Sequence, residues 1–174
     1  MGYTHYYYMP KEVVDAHWER TKQKEFGEGI PEATLIINEF RERYDNYHRV
    51  FKHSRAKIET LELETDAMGR YCYIHFNGIG DSAHESFTFP PKQNGYEKDE
   101  DKYYFEFTKT AYKPYDQCVT AFLLIAKHYL GDNIVLKSDG NIEDWIKGSA
   151  MSDSYTNRSL IRTLQTDFDR EVEE

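Results

Sequence analysis

The chain has 174 residues, of which 30 % are charged and 16 % aromatic, and its formal net charge is −9. That length suits a single domain, residues 1–174, with a real hydrophobic core. The excess of 31 acidic over 22 basic side chains leaves no basic stripe for direct binding of nucleic acid. Cys72 and Cys118 lie far apart, which points to reduced thiols in an intracellular protein and not to a disulfide framework. The N-terminus lacks the charged start and apolar stretch of a signal peptide. The longest apolar run, "VTAFLLIA", is too short to cross a bilayer. The expected location is therefore cytoplasmic, with no membrane partner.

The first element, "YTHYYYMP", reads as a strand with Tyr3, His5 and Tyr7 on one face and Thr4, Tyr6 and Tyr8 on the other. A half-buried strand should alternate apolar with polar residues. Here both faces carry side chains with a hydrophobic body and a polar tip, which suits a wall between core and pocket. Pro10 then admits a helix, "KEVVDAHWERTKQKEF", with Val14 and Trp18 one turn apart. After the break at "FGEGIP", Pro31 opens a longer helix whose Ile36, Phe40, Tyr44, Tyr47 and Phe51 form a core-facing stripe.

The period then changes. "KIETLELET" alternates Ile58, Thr60 or Leu61, and Leu63 with acidic residues, as a strand with one wet face does. "RYCYIHF" and "HESFTF" follow as strands around the Asn-Gly turn "NGIGDSA". The polar stretch "PPKQNGYEKDEDK" reads as a loop, and "YYFEFT" as a fourth strand of the same meander. "KTAYKPYD" leads into the most apolar helix, "QCVTAFLLIAKHYL", ended by Gly131. "NIVLKSDG" is a strand and turn, "IEDWI" a helical turn. The last helix has Leu160, Leu164, Phe168 and Val172 on one face. The order β-α-α-β-β-β-β-α-β-α predicts an α+β domain, a mostly antiparallel sheet packed with helices.

Several signatures fail on context. "GIGDSA" fits G-x-G-x-x-A, but the segment after it reads as strand, so no helix N-terminus faces a pyrophosphate. "HES" lacks the second H-x-[ST] tripeptide of a two-histidine phosphoesterase. His5, His75, His84 and Glu85 lack the spacing of a zinc site, so no metal and no cofactor are expected.

Three polar clusters remain at strand ends and helix starts: "YTHYYY"; "FNG" with "HESF"; and "KTAYKPYD" with "SDGNIEDW". Lys109, Thr110 and Lys113 precede a helix with Pro114 at its start and Tyr115 and Asp116 in its first turn. Such a terminus suits an anionic group, and Asp116 equally suits a first-turn carboxylate favoured by the helix dipole. Tyr and His on the first strand suit stacking on a flat ring and bonding its edge, as nucleobase sites do.

These same blocks, "MGYTHY", "FNG", "ESF", "KTAYKPYD" and "SDGNIEDW", resemble a family of small bacterial and tailed-phage proteins. Its motifs read MGYTHYW, FNG, ETF, FCKTxxKPYD and SDGxxxDW, and the resemblance spans nearly the whole chain. This sequence departs at Tyr7 and Tyr8, where an early Trp is common, at Phe107-Thr108, where Phe-Cys is common, and at Ser86. The resemblance implies a shared site and no particular reaction.

Three functions follow as expectations. The first is binding of a small anionic, nucleotide-like ligand, with Lys109, Thr110 and Lys113 holding the anion. Tyr6, Asn77, Tyr115, Ser138, Asp139 and Trp145 would complete the pocket. A phage setting would make this the sequestering of a host signalling nucleotide. The second is an enzyme acting on such a ligand, with His5 or His84 as general base and Glu85, Asp116 or Asp139 orienting it. The third is an inhibitor or adaptor that docks on a host protein through a tyrosine-rich surface.

Overall fold

The computed structural model describes residues 3–22, 31–59, 61–93, 96–98, 102–148, 151 and 158–170. Their order is β1 (Thr4–Pro10), α1 (Lys11–Lys22), α2 (Pro31–Val50), β2 (Glu62–Thr65), β3 (Tyr71–Phe76), β4 (Phe87–Phe89), β5 (Tyr96–Lys98), β6 (Tyr103–Lys109), α3 (Asp116–Leu130), β7 (Val135–Ser138), α4 (Ile142–Gly148) and α5 (Arg158–Asp169). This is an α+β fold. Its strands form two antiparallel sheets, β5-β6-β1-β7 and β2-β3-β4.

The single meander expected from the middle of the sequence is thus divided. β6 does not follow β4 in one sheet; it pairs with β1, with Tyr6 opposite Phe107 and Tyr8 opposite Phe105. The Pro90-Pro91 pair ends β4, because proline supplies no ladder N–H. "HESFTF" is a strand only over Phe87–Phe89, and the supposed loop after it contains β5. Ile58 makes an isolated bridge to Gly78 instead of belonging to a strand from residue 57. Thr60, residues 23–26 and Val172 lie outside the described residues.

β1 alternates in burial from His5 onward although both of its faces carry polar-tipped rings. His5, Tyr7 and Met9 are buried, while Tyr6, Tyr8 and Pro10 are only partly so. The two sheets meet through Tyr7, whose hydroxyl donates to the Thr88 carbonyl at 2.6 Å and whose ring lies 6.1 Å and 5.9 Å from Phe87 and Phe89. Phe122 of α3 sits at the centre, 5.3 Å from Phe40 of α2 and 5.0 Å and 5.1 Å from Phe87 and Phe89. Each such buried ring contributes roughly 1.5–3 kcal/mol. On α2 the apolar stripe ends early: Ile36 and Phe40 are fully buried, but the helix stops at Val50 and Phe51 is 54 % exposed.

α3 is buried along nearly its whole length and closes at Gly131, whose φ of 55° suits glycine. Its one buried cation, Lys127, donates to the Ile134 carbonyl at 2.6 Å and pairs with Asp167 of α5 at 2.7 Å. Asp167 also accepts the Leu136 amide of β7 at 3.0 Å. Lys137 donates to the Phe168 and Arg170 carbonyls at the end of α5. No helix among the described residues is long and apolar enough to cross a membrane.

Candidate functional site

The ends of β1, β6 and β7 and the start of α3 converge, as the three polar clusters suggested. His5 links three of these elements. Its Nε2 lies 2.6 Å from Asp116 Oδ1 and its Nδ1 2.8 Å from Ser138 Oγ. A carboxylate only accepts, so Nε2 carries the proton toward Asp116, and in the neutral ring Nδ1 accepts from the Ser138 hydroxyl. Thr110 donates to the same Asp116 oxygen at 2.6 Å, and the Gly140 amide donates to Ser138 Oγ at 3.0 Å.

The order serine–histidine–aspartate invites comparison with a nucleophilic triad. The His5 side chain is 0 % exposed and meets no substrate directly, so a general-base role would run only through the Ser138 hydroxyl that its Nδ1 contacts. Tyr3 and Trp145 close over the ring edge-on at 4.9 Å each. Burial first, then the Asp116 and Asp144 charges, push the Tyr3 hydroxyl well above its ordinary range and keep it protonated. The network is a buried staple between sheet and helix.

Local sequence explains the staple. Thr110 and Ala111 amides both donate to the Tyr3 carbonyl, and the Lys113 amide returns to Thr110. Ala111 and Tyr112 stand at φ 51° and 59°. Two positive-φ residues inside that closure make a turn of the type I′ kind, which normally favours Asn-Gly. The turn lays Tyr112, 70 % exposed, against Tyr3 at 3.8 Å and 21°. A Cβ at Gly140 would lie 2.4 Å from the Tyr3 hydroxyl oxygen, so a larger residue there displaces the Tyr3 side chain. Asn141 and Asp144 then exchange reciprocal amide bonds at 2.9 and 3.1 Å, a capping box for α4.

The anion cradle expected at the start of α3 is not formed. Amides of Asp116, Gln117 and Cys118 donate to the carbonyls of Lys113, Pro114 and Tyr115, so none faces outward. Lys113 donates to the Asp81 carbonyl at 2.9 Å, and Thr110 is buried against Asp116. Tyr115 is fully buried and donates to the Glu85 carbonyl; burial, with Asp116 and Glu85 nearby, raises its hydroxyl. Trp145 is fully buried too, and its indole N–H has no hydrogen-bond partner among the described residues. His5, Tyr115 and Trp145 are buried and offer no exposed ring face.

The remaining candidates have definite places. Asn77 secures the turn: its carbonyl oxygen accepts the Gly78 and His84 amides, and its amide donates to the His84 carbonyl and Ser86 hydroxyl. Asp139 accepts the Thr4 amide at 3.1 Å and its own amide returns to Thr4. Glu85 accepts the Lys109 amide at 2.7 Å. His84 is exposed and donates through Nδ1 to the Lys109 carbonyl at 2.7 Å, which leaves Nε2 unprotonated in the neutral ring.

An open groove of about 610 Å³ lies on the other face of the four-stranded sheet, where Tyr6, Tyr8, Phe105, Phe107, Lys109 and Arg170 line it. Its edge includes Glu85 and Ser138. The rings form a platform: Tyr8 and Phe105 stack at 5.6 Å and 28°, and Phe105 and Phe107 at 6.2 Å and 29°. Tyr6, Lys109 and Ser138 were expected in a ligand site, whereas Tyr8, Phe105, Phe107 and Arg170 were not. For Phe105 and Phe107 the signal was the alternation in "YYFEFTK", which puts them on one face with Lys109. The Lys109 ammonium makes no hydrogen bond or ion pair among the described residues. Among those residues no cluster of three His, Cys, Asp or Glu side chains is placed to hold a metal. No family model, curated protein or solved structure matches the chain.

Proposed function

We propose that the protein binds a small anionic ligand bearing a flat ring, a nucleotide or close analogue, in the aromatic groove of the four-stranded sheet. The observation that carries this reading is the combination of a continuous ring platform with the uncommitted Lys109 ammonium in one concave site. Rings stack on the faces of Tyr and Phe with little regard to base identity, and a lysine supplies a point charge for phosphate. The acidic net charge of −9 disfavours a long polyanion and leaves a small ligand as the fitting partner. In a phage-encoded protein of the host cytoplasm, the setting implied by the motif resemblance, binding without turnover amounts to sequestering a host signalling nucleotide.

The test is mass spectrometry of whatever is released on denaturing the purified protein, with Lys109→Ala and Phe105→Ala as comparisons. A nucleotide released from the wild type and depleted from both variants supports the reading. An empty wild type that also fails to take up added nucleotides refutes it and favours a protein partner. A second reading, hydrolysis of the bound ligand, draws on exposed His84 beside Glu85 at the groove's edge. It requires turnover by the wild type that His84→Ala abolishes while ligand binding persists.

A further inference from the structure

We infer that the groove is built for a ligand with two bases, a dinucleotide unit, and not for a single nucleotide; this rests on the reading of the groove as a nucleotide site. The argument starts from register. Along β6 the outward positions are Tyr103, Phe105, Phe107 and Lys109, and opposite them on β1 stand Pro10, Tyr8, Tyr6 and Thr4. Two aromatic pairs therefore lie side by side, Tyr8 with Phe105 and Tyr6 with Phe107, at 5.6 and 6.5 Å between ring centres. Neighbouring rings along β6 are 6.2 Å apart. That exceeds the stacked base repeat of about 3.4 Å per nucleotide, so two bases occupying the pairs must be splayed, each on its own platform. Proteins that read single strands on a sheet use this arrangement.

Charge frames the same line. Lys109 stands at one end of the row. At the other, the Arg170 guanidinium donates to the Tyr103 hydroxyl at 2.9 Å and lies 5.9 Å from that ring's centre. The two ends are six residues apart, roughly 20 Å along a strand. A mononucleotide on one platform reaches one cation. Neighbouring phosphates of one strand stand much closer together than that span, so a two-base ligand covers both platforms and turns its phosphates toward Lys109 alone. Elsewhere the net charge of −9 opposes further phosphates, which limits the ligand to a free dinucleotide or the terminal two units of a strand.

The experiment is isothermal titration of the full chain at fixed moderate salt with three probes: adenosine 5′-monophosphate, the 5′-phosphorylated dinucleotide pApA, and a twelve-residue adenylate oligomer. The dinucleotide is expected to bind at least tenfold tighter than the mononucleotide. Phe107→Ala should weaken the dinucleotide by about 5- to 150-fold, the loss of one stacked base, and bring its affinity close to that of the mononucleotide. Phe107→Tyr should keep the wild-type pattern, which separates lost stacking from a folding defect. An oligomer binding like the dinucleotide supports recognition of two units at a strand end. Tighter, steeply salt-dependent oligomer binding overturns the two-base limit. Equal affinity for mono- and dinucleotide, both weakened by Lys109→Ala, overturns this inference and leaves the nucleotide site standing. No binding of any probe removes both.

Discussion

Replacing His5 by its two amide mimics separates the bonds it makes. Gln places its amide nearer the position of Nε2 and keeps a donor for Asp116; Asn places its amide nearer Nδ1 and keeps an acceptor for Ser138. His5→Gln thus loses a neutral bond, about 0.5–1.5 kcal/mol, while Ser138 retains the Gly140 amide. His5→Asn loses a bond to a carboxylate, about 1.5–3 kcal/mol, and leaves Asp116 with Thr110 alone. It also opens space beside Tyr3 and Trp145, which pack on the imidazole. His5→Asn should be the less stable by about 1–2 kcal/mol. With a urea slope of about 1–3 kcal/mol per molar, its unfolding midpoint should lie roughly 0.3–2 M below that of His5→Gln. Both folded variants should keep the ligand affinity of the wild type, because His5 faces away from the groove. A His5→Asn protein at least as stable as His5→Gln would refute the assignment of Nε2 to Asp116. Loss of ligand affinity with stability intact would refute the staple.

Two further outcomes concern stability. His17 and His48 donate to the Cys72 and Ala56 carbonyls, and burial, the leading cause for each, lowers their pKa below the ordinary 6.5. The unfolded chain then binds more protons, so their contribution is present above pH 6.5 and is lost as pH falls through that value toward the folded pKa. Urea midpoints between pH 7.5 and 5.5 should decline, and the His17→Gln, His48→Gln double variant should flatten that slope; an unchanged slope rejects the assignment. Ala111→Gly should raise stability by roughly 0.5–1 kcal/mol by relieving a left-handed alanine, seen as a higher urea midpoint, whereas a lower midpoint would mean the turn is unstrained.

Much of the architecture is written locally. The strand at "THYYYMP", the apolar length of α3 and Gly131 at its end are decided within a few residues, and the structure keeps them. Partner choice is not local. β6 has the same strand pattern whether it follows β4 or crosses to β1, and pairing across about a hundred residues decides which. The site divides along the same line. His5, Thr110, Asp116 and Ser138 were legible as polar groups at element ends, but that they satisfy one another depends on β7 lying beside β1. The same uncertainty hid Phe105 and Phe107, since an apolar strand face looks alike whether a helix or a ligand covers it.

α5 gives the four-stranded sheet a finished border. β7 is an outer strand, and such strands offer unpaired amides to any chain that passes. Here the Leu136 amide is taken by a carboxylate, Asp167, which Lys127 neutralises from inside the core, and Lys137 reaches across to the last carbonyls of the helix. A side chain cannot template a further strand, so pairing stops at β7. Asp167, near the end of the last helix, thereby closes the β7 side of this sheet to a further strand.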